Sequence, residues 1–133
     1  MSQLTTPLAR YQHVRKSGPL YFIAGQGCRD PQTNQYAGLT LTADGKVSSY
    51  DIAAQTSAVL QNIERVLISQ KLTRANIIDV TVFMKSKSDF EGMNAVWNNF
   101  FAETSPPTRT TIFIADLPGL NYVEMKTIAA ADS

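Results

Sequence analysis

One histidine and one cysteine are all that the 133 residues hold of the two commonest metal-binding and nucleophilic side chains. A lone Cys28 cannot close an intrachain disulfide, which agrees with a reducing, cytoplasmic setting. Together with His13 it cannot assemble a zinc site, and no paired-carboxylate pattern replaces one, so no metal is expected. A Ser-His-Asp or Cys-His device would have to run through His13, which reads as a strand residue, while Cys28 reads as a loop or interface thiol. An excess of either charge is missing too. Lys plus Arg number 12 against 11 Asp plus Glu, and the resulting net charge of +1 gives no field to gather nucleic acid or an anionic membrane. Apolar runs are short and broken, and Met1-Ser2-Gln3-Leu4-Thr5-Thr6-Pro7 has neither a basic start nor an apolar core, so a soluble, unexported protein is expected. Gly25-x-Gly27 lacks a third glycine and a following helix, so it is no dinucleotide fingerprint and no cofactor is implied.

What is present fits one domain, residues 1–133, without internal repeat or low-complexity segment. Tyr11 to Lys16 reads as a first strand, ended by Ser17-Gly18-Pro19, and Leu20 to Ala24 as its nearly continuous apolar partner. Gly25-Gln26-Gly27 lets the chain turn sharply into the loop Cys28-Arg29-Asp30-Pro31. After a polar stretch, Val47 to Tyr50 suggests a short edge strand. Then Ile52, Thr56, Val59, Leu60, Ile63, Val66 and Leu67 recur at helical spacing behind Asp51, predicting a helix from Ile52 to about Gln70 with Gln55, Asn62, Glu64 and Arg65 facing water. Asn76 to Lys85 returns to strand composition. Ser88-Asp89-Phe90-Glu91 has the form of a capping box, opening a second helix with Phe90, Met93, Trp97, Phe100 and Phe101 on one stripe, a pattern of core rather than of a base-stacking platform.

The C-terminal third carries the most suggestive pair of charges. Pro106-Pro107 leads into Thr108-Arg109-Thr110-Thr111-Ile112-Phe113-Ile114-Ala115, and after the turn at Pro118-Gly119 comes Tyr122-Val123-Glu124-Met125-Lys126-Thr127-Ile128-Ala129. These read as paired strands that offer one cation and one carboxylate on stiff supports. The ordinary outcome of such a pair is a cross-strand ion pair. The chemical alternative is a guanidinium that holds a substrate carboxylate bidentately and a carboxylate that orients or deprotonates a water. Two helices on one face of a mixed sheet leave the other face uncovered, and several strands are apolar on both alternating sets, so subunits are expected to cover that face for one another.

Pro-Pro-x-Arg, the apolar strand, Leu-Pro and Val-Glu-Met-x-x-Ile-Ala resemble the C-terminal signature of the reactive intermediate deaminase (Rid) family, small proteins that hydrolyse enamines and imines to ketones and ammonia. Tyr21-Phe22-Ile23-Ala24-Gly25-Gln26 with Asp30-Pro31-Gln32-Thr33 is similar to its second strand and following turn, and Phe90 to Phe101 resembles its second helix. The resemblance implies a chorismate-mutase-like α+β fold, with two helices packed on one face of a mixed β-sheet. It also implies a homotrimer whose sheets form a central barrel, with a cleft at each subunit boundary. It gives Arg109 the role of substrate-binding arginine, Glu124 that of water-orienting glutamate, and Tyr11 the place of an active-site tyrosine.

Departures from the common pattern bear on substrate. Ile23-Ala24 replaces a Val-Ser pair before Gly-Gln, and Thr111 stands where many members carry a small residue or Cys. Cys28-Arg29-Asp30-Pro31, in a loop that is usually apolar, resembles the 2-aminomuconate deaminases. With Cys28 and Thr111 as further contacts, Arg29 would hold the second carboxylate of a dicarboxylate enamine or imine across an apolar slot; otherwise it is a solvated loop arginine paired with Asp30 or a neighbouring subunit. The leading expectation is a cofactor-independent hydrolytic deaminase acting on 2-aminomuconate in aromatic-compound degradation. The alternatives are a general 2-imino acid or 2-aminoacrylate deaminase and a non-enzymatic trimeric ligand-binding or chaperone-like protein. A nuclease activity is also attached to the family, and the balanced charge argues against it.

Overall fold

Among the described residues, seven strands and two α-helices follow one another as β1 (Val14–Ser17), β2 (Leu20–Gln26), β3 (Leu39–Leu41), β4 (Val47–Tyr50), α1 (Ile52–Ser69), β5 (Ile77–Met84), α2 (Phe90–Phe100), β6 (Thr108–Phe113) and β7 (Val123–Ala130). The computed structural model describes residues 3–132. α1 starts where the sequence places it. Asp51 sits at the cap in extended conformation and accepts the Ala54 N–H, and Gln70 closes the other end. Val59, Leu60, Ile63, Val66 and Leu67 are each at most 1% exposed. Full burial of such a side chain contributes on the order of 1.5–3 kcal/mol, so this stripe is what docks the helix.

Gln55 and Asn62 depart from expectation, because both are buried rather than facing water. Steps of four, three and four residues link Gln55, Val59, Asn62 and Val66, so the two amides lie on the apolar stripe itself. They are tolerated there because loop backbone supplies their hydrogen-bond partners. α2 also begins differently. Ser86, not Ser88, acts as a cap, accepting the Ser88 N–H at the head of a short 3-10 turn, Lys87–Asp89. That turn leaves Asp89 in helical backbone conformation, where its side chain cannot fold back onto the first turn; its carboxylate accepts the Tyr50 hydroxyl at 2.6 Å instead.

The main sheet has the order β1-β2-β7-β5-β6, with β5 and β6 parallel and the other neighbours antiparallel. The two C-terminal strands are therefore not paired, contrary to the sequence expectation. β5 lies between them. The crossover through α2 returns the chain parallel to β5 and next to it, which puts β6 at the sheet edge and leaves the inner position to β7. β1 begins at Val14, so Tyr11 and His13 precede the strand rather than belong to it. β3 and β4 form a separate two-stranded sheet instead of adding an edge strand.

Tyr21 and Ile23 of β2, Val80, Val82 and Met84 of β5, and Val123, Met125, Thr127 and Ala129 of β7 are buried on the helix side. The alternate residues, among them Phe22, Phe83, Ile112 and Ile128, form the other face, where Phe22 is 38% and Ile112 41% exposed. Among the described residues nothing covers that face.

Candidate active site

β2 keeps register with β7 up to Ile23 and loses it before Gln26. The irregularity brings the Gly25 backbone against the first turn of β7's ladder, where a Cβ on Gly25 would stand 3.4 Å from the Glu124 carboxyl carbon. Glu124 is half-buried there. Burial raises its carboxyl above the ordinary carboxylate range, with no charge or hydrogen bond to offset the cost. An unpaired carboxylate on a rigid strand is unusual for a purely structural group, and it opens on a pocket of about 220 Å³ whose walls include Tyr11, His13, Gln26, Arg29 and Tyr36.

The far wall is stiff. The Gln26 side-chain amide donates to the Ala24 carbonyl at 3.1 Å and to His13 Nδ1 at 3.2 Å, while His13 Nε2 meets the Thr5 carbonyl. With Nδ1 accepting, the imidazole proton lies on Nε2 and is given to Thr5, a tautomer assigned from these partners. Arg29 donates to the Thr6 carbonyl at 2.5 Å and to the Asn34 side chain at 3.4 Å. It does not pair with Asp30, whose carboxylate accepts the Gln32 and Thr33 backbone N–H groups at 2.8 and 3.0 Å. Tyr11 is 48% exposed at the pocket mouth. A wider groove of about 730 Å³ lies beside Arg10, Tyr11 and Arg15, but no carboxylate lines it, and the chemistry lies with Glu124.

Arg109 lies elsewhere. Its register partner is Val80, on the helix face, and its guanidinium rests 4.9 Å from the Trp97 ring centre and 5.7 Å from that of Phe90, with Nη1 3.8 Å from Met93 Sδ. Desolvation lowers its pKa from the ordinary guanidinium value, yet an arginine stays charged, and no carboxylate among the described residues pairs with it. Thr111 shares that face with a buried, unpartnered hydroxyl, and the Asn94 side-chain oxygen is likewise unpartnered. Cys28, expected as a substrate contact, is 1% exposed within the hydrophobic core. Burial pushes its thiol up to about 11, which disfavours the thiolate that a nucleophile needs.

The chain thus brings Glu124, Arg29 and Tyr11 together and holds Arg109 and Thr111 apart from them. His13, read from the sequence as a strand residue, and Gln26, read as part of a turn, complete the first group. Only the short spacing from Gln26 of β2 back to His13 across the β1–β2 turn hints at it.

A two-helix layer on a five-stranded mixed sheet, with a half-buried carboxylate beside a glycine at the end of β2, is the architecture of a small α+β protein. The sequence profile of the family described as endoribonuclease L-PSP matches residues 1–131, and the chain belongs to that family, also called Rid, RutC or YjgF. A RutC family protein of Pyrococcus horikoshii is 34% identical over 123 residues, covering 92% of this chain and 88% of that protein. One from Synechocystis is 30% identical over 128 residues, covering 96% and 91%. Among solved structures, Escherichia coli TdcF with bound serine superposes with a TM-score of 0.85 at 25% identity, over 99% of this chain and 96% of that one. The YjgF gene product of the same organism gives 0.83 at 26% identity, over 98% and 94%. The expected chorismate-mutase-like α+β fold is the one observed. No described helix is long and apolar enough to cross a membrane.

Proposed function

We propose that this chain is a cofactor-independent hydrolase of enamines and imines, and that its substrate is a dicarboxylate of the 2-aminomuconate type. The observation that carries the proposal is the half-buried, unpaired Glu124 carboxylate in one pocket with the Arg29 guanidinium. The enamine takes up a proton at carbon and becomes the imine. Water, oriented and deprotonated by Glu124, adds to the imine carbon, and the carbinolamine collapses to the 2-oxo diacid and ammonia. Raising the carboxyl toward neutrality by burial suits a group that both takes and returns a proton.

A substrate carboxylate also needs a cation beside the reacting carbon, and Arg109 is free of any carboxylate of its own. Because Arg109 and Glu124 face opposite sides of the sheet, the clamp would come from a second copy, in a homotrimer with sites at the subunit boundaries. Arg29 would then bind the far carboxylate. A second reading, a general 2-imino acid deaminase, is favoured by the bonds from Arg29 to Thr6 and Asn34, which a far carboxylate would have to displace. TdcF was solved with serine, a small amino acid, which also suits that reading. The family description names a ribonuclease, for which a net charge of +1 supplies little electrostatic attraction.

The test is ammonia release by purified protein from 2-aminomuconate and from 2-iminopropanoate generated in place. A higher kcat/KM on the dicarboxylate that falls selectively in Arg29→Ala supports the first reading. Equal effects on both substrates return the protein to the general class, and release from neither removes the hydrolase proposal.

A further inference from the structure

The loop that carries Arg29 is held from beneath by a polar side chain on the apolar stripe of α1. After the register break at the end of β2, residues 27–29 have left the main sheet, and side chains bond three of their backbone groups while the Ala37 N–H donates to the Cys28 carbonyl. Asn62 of α1 donates through Nδ2 to both the Gly27 and the Arg29 carbonyls, each at 2.9 Å. Asn121 accepts the Cys28 N–H at 2.8 Å. Asn62 is only 4% exposed, and its own oxygen accepts Arg65 Nη1 at 2.5 Å. Both amide hydrogens and the amide oxygen are therefore used, which fixes the orientation of the group completely. A leucine would fit the apolar stripe of α1 but would leave the Gly27 and Arg29 carbonyls and the Arg65 guanidinium without this partner, so the amide is there for the loop and not for the packing of the helix.

We infer that Asn62 is a positioning residue for selectivity: by pinning the 27–29 turn to α1 it sets where the Arg29 guanidinium stands over the Glu124 pocket. This rests on the reading of Arg29 as the holder of a far carboxylate. In the free protein the Arg29 side chain is also tied to Thr6 and Asn34. Once a substrate carboxylate displaces the Thr6 carbonyl, that restraint is lost and the backbone anchor at Asn62 remains. Arg65 acts one step further out, by keeping the Asn62 amide turned with its hydrogens toward the two carbonyls.

The experiment measures kcat/KM on 2-aminomuconate and on 2-iminopropanoate for the parent, Arg29→Ala, Asn62→Leu and Arg65→Met, each as the assembled full chain. Asn62→Leu is expected to lower the dicarboxylate-to-monocarboxylate ratio about tenfold, mainly through KM on the dicarboxylate. Arg65→Met, a milder change away from the pocket, is expected to lower the ratio about threefold while kcat on the monocarboxylate stays unchanged. If Arg29→Ala lowers the ratio and neither of the other variants does, the role of Asn62 is overturned while that of Arg29 stands. Parallel losses on both substrates in Asn62→Leu and Arg65→Met would also overturn it, as general loosening of the fold. A ratio untouched by Arg29→Ala overturns both.

Discussion

Arg109 and Glu124 leave the sheet on opposite faces. Arg109 is in register with Val80 on one side of β5 and Glu124 with Phe83 on the other, and an offset of three residues along a strand reverses the direction of the side chain. The two charges cannot meet within one subunit as an ion pair or as a catalytic pair. Each stays without a charged partner among the described residues, so both remain available to a ligand or a second copy.

Subunit mixing tests this directly. Arg109→Ala and Glu124→Gln should each lose most deaminase activity, and equal amounts unfolded and reassembled together should regain about a quarter of parental activity. In the proposed assembly a boundary site would receive its arginine and its glutamate from independently drawn subunits, and one site in four would get both. Recovery no greater than that of either variant alone would overturn a site shared between copies. A monomer by light scattering at micromolar concentration would do the same.

Arg109→Lys should lose most activity while the protein stays folded. The guanidinium is backed by Trp97 and Phe90 and can offer two parallel donors, whereas an ammonium offers a single point of charge. About 2–5 kcal/mol is at stake when a desolvated charged partner is lost, read as a fall in kcat/KM. Near-normal turnover would make Arg109 structural.

Glu124 should give a pH signature of definite sign. Burial raises its native pKa above the unfolded value, so its contribution to stability is intact below the unfolded pKa and is lost as pH rises through the native one. The stability of Glu124→Gln relative to the parent should therefore rise across the interval from the ordinary carboxylate range upward. Urea denaturation midpoints at a series of pH values measure it. A difference independent of pH would mean that the carboxylate is not desolvated. In turnover the same variant should slow kcat more than it changes KM.

Gly27 is required for space. A Cβ there would lie 2.5 Å from both amide atoms of Asn121, which is itself buried and bonded to Cys28 and Pro118. Gly27→Ala is expected to cost about 1–3 kcal/mol, the penalty for leaving a buried polar group unpaired, visible as a lower denaturation midpoint with an unchanged slope. A midpoint equal to the parent's would show that the 118–121 loop moves aside freely.

Where the local pattern is self-sufficient, the sequence by itself determined the outcome. The α1 stripe behind Asp51, the strand composition of residues 77–84, the turn at Pro118-Gly119 and the family motifs around Arg109 and Glu124 depend only on neighbours within a few residues. Strand partners do not. That β5 separates β6 from β7 follows from a crossover through α2, a long-range choice with no local signature, and together with the register along β5 it decides that Arg109 and Glu124 part company. The same holds for polarity. Asn62 and Gln55 read as water-facing because they are polar, yet the fold brings the carbonyls of Gly27, Arg29, Ala37 and Leu120 to within hydrogen-bonding distance, and burial becomes tolerable. Cys28 moved the other way, from a loop or interface thiol to a core residue, because the turn that carries it is drawn in against α1 by the Asn62 amide. A side chain's chemistry is written at its own position, but its solvent and its partners come from residues far away in the chain, and only the folded structure supplies them.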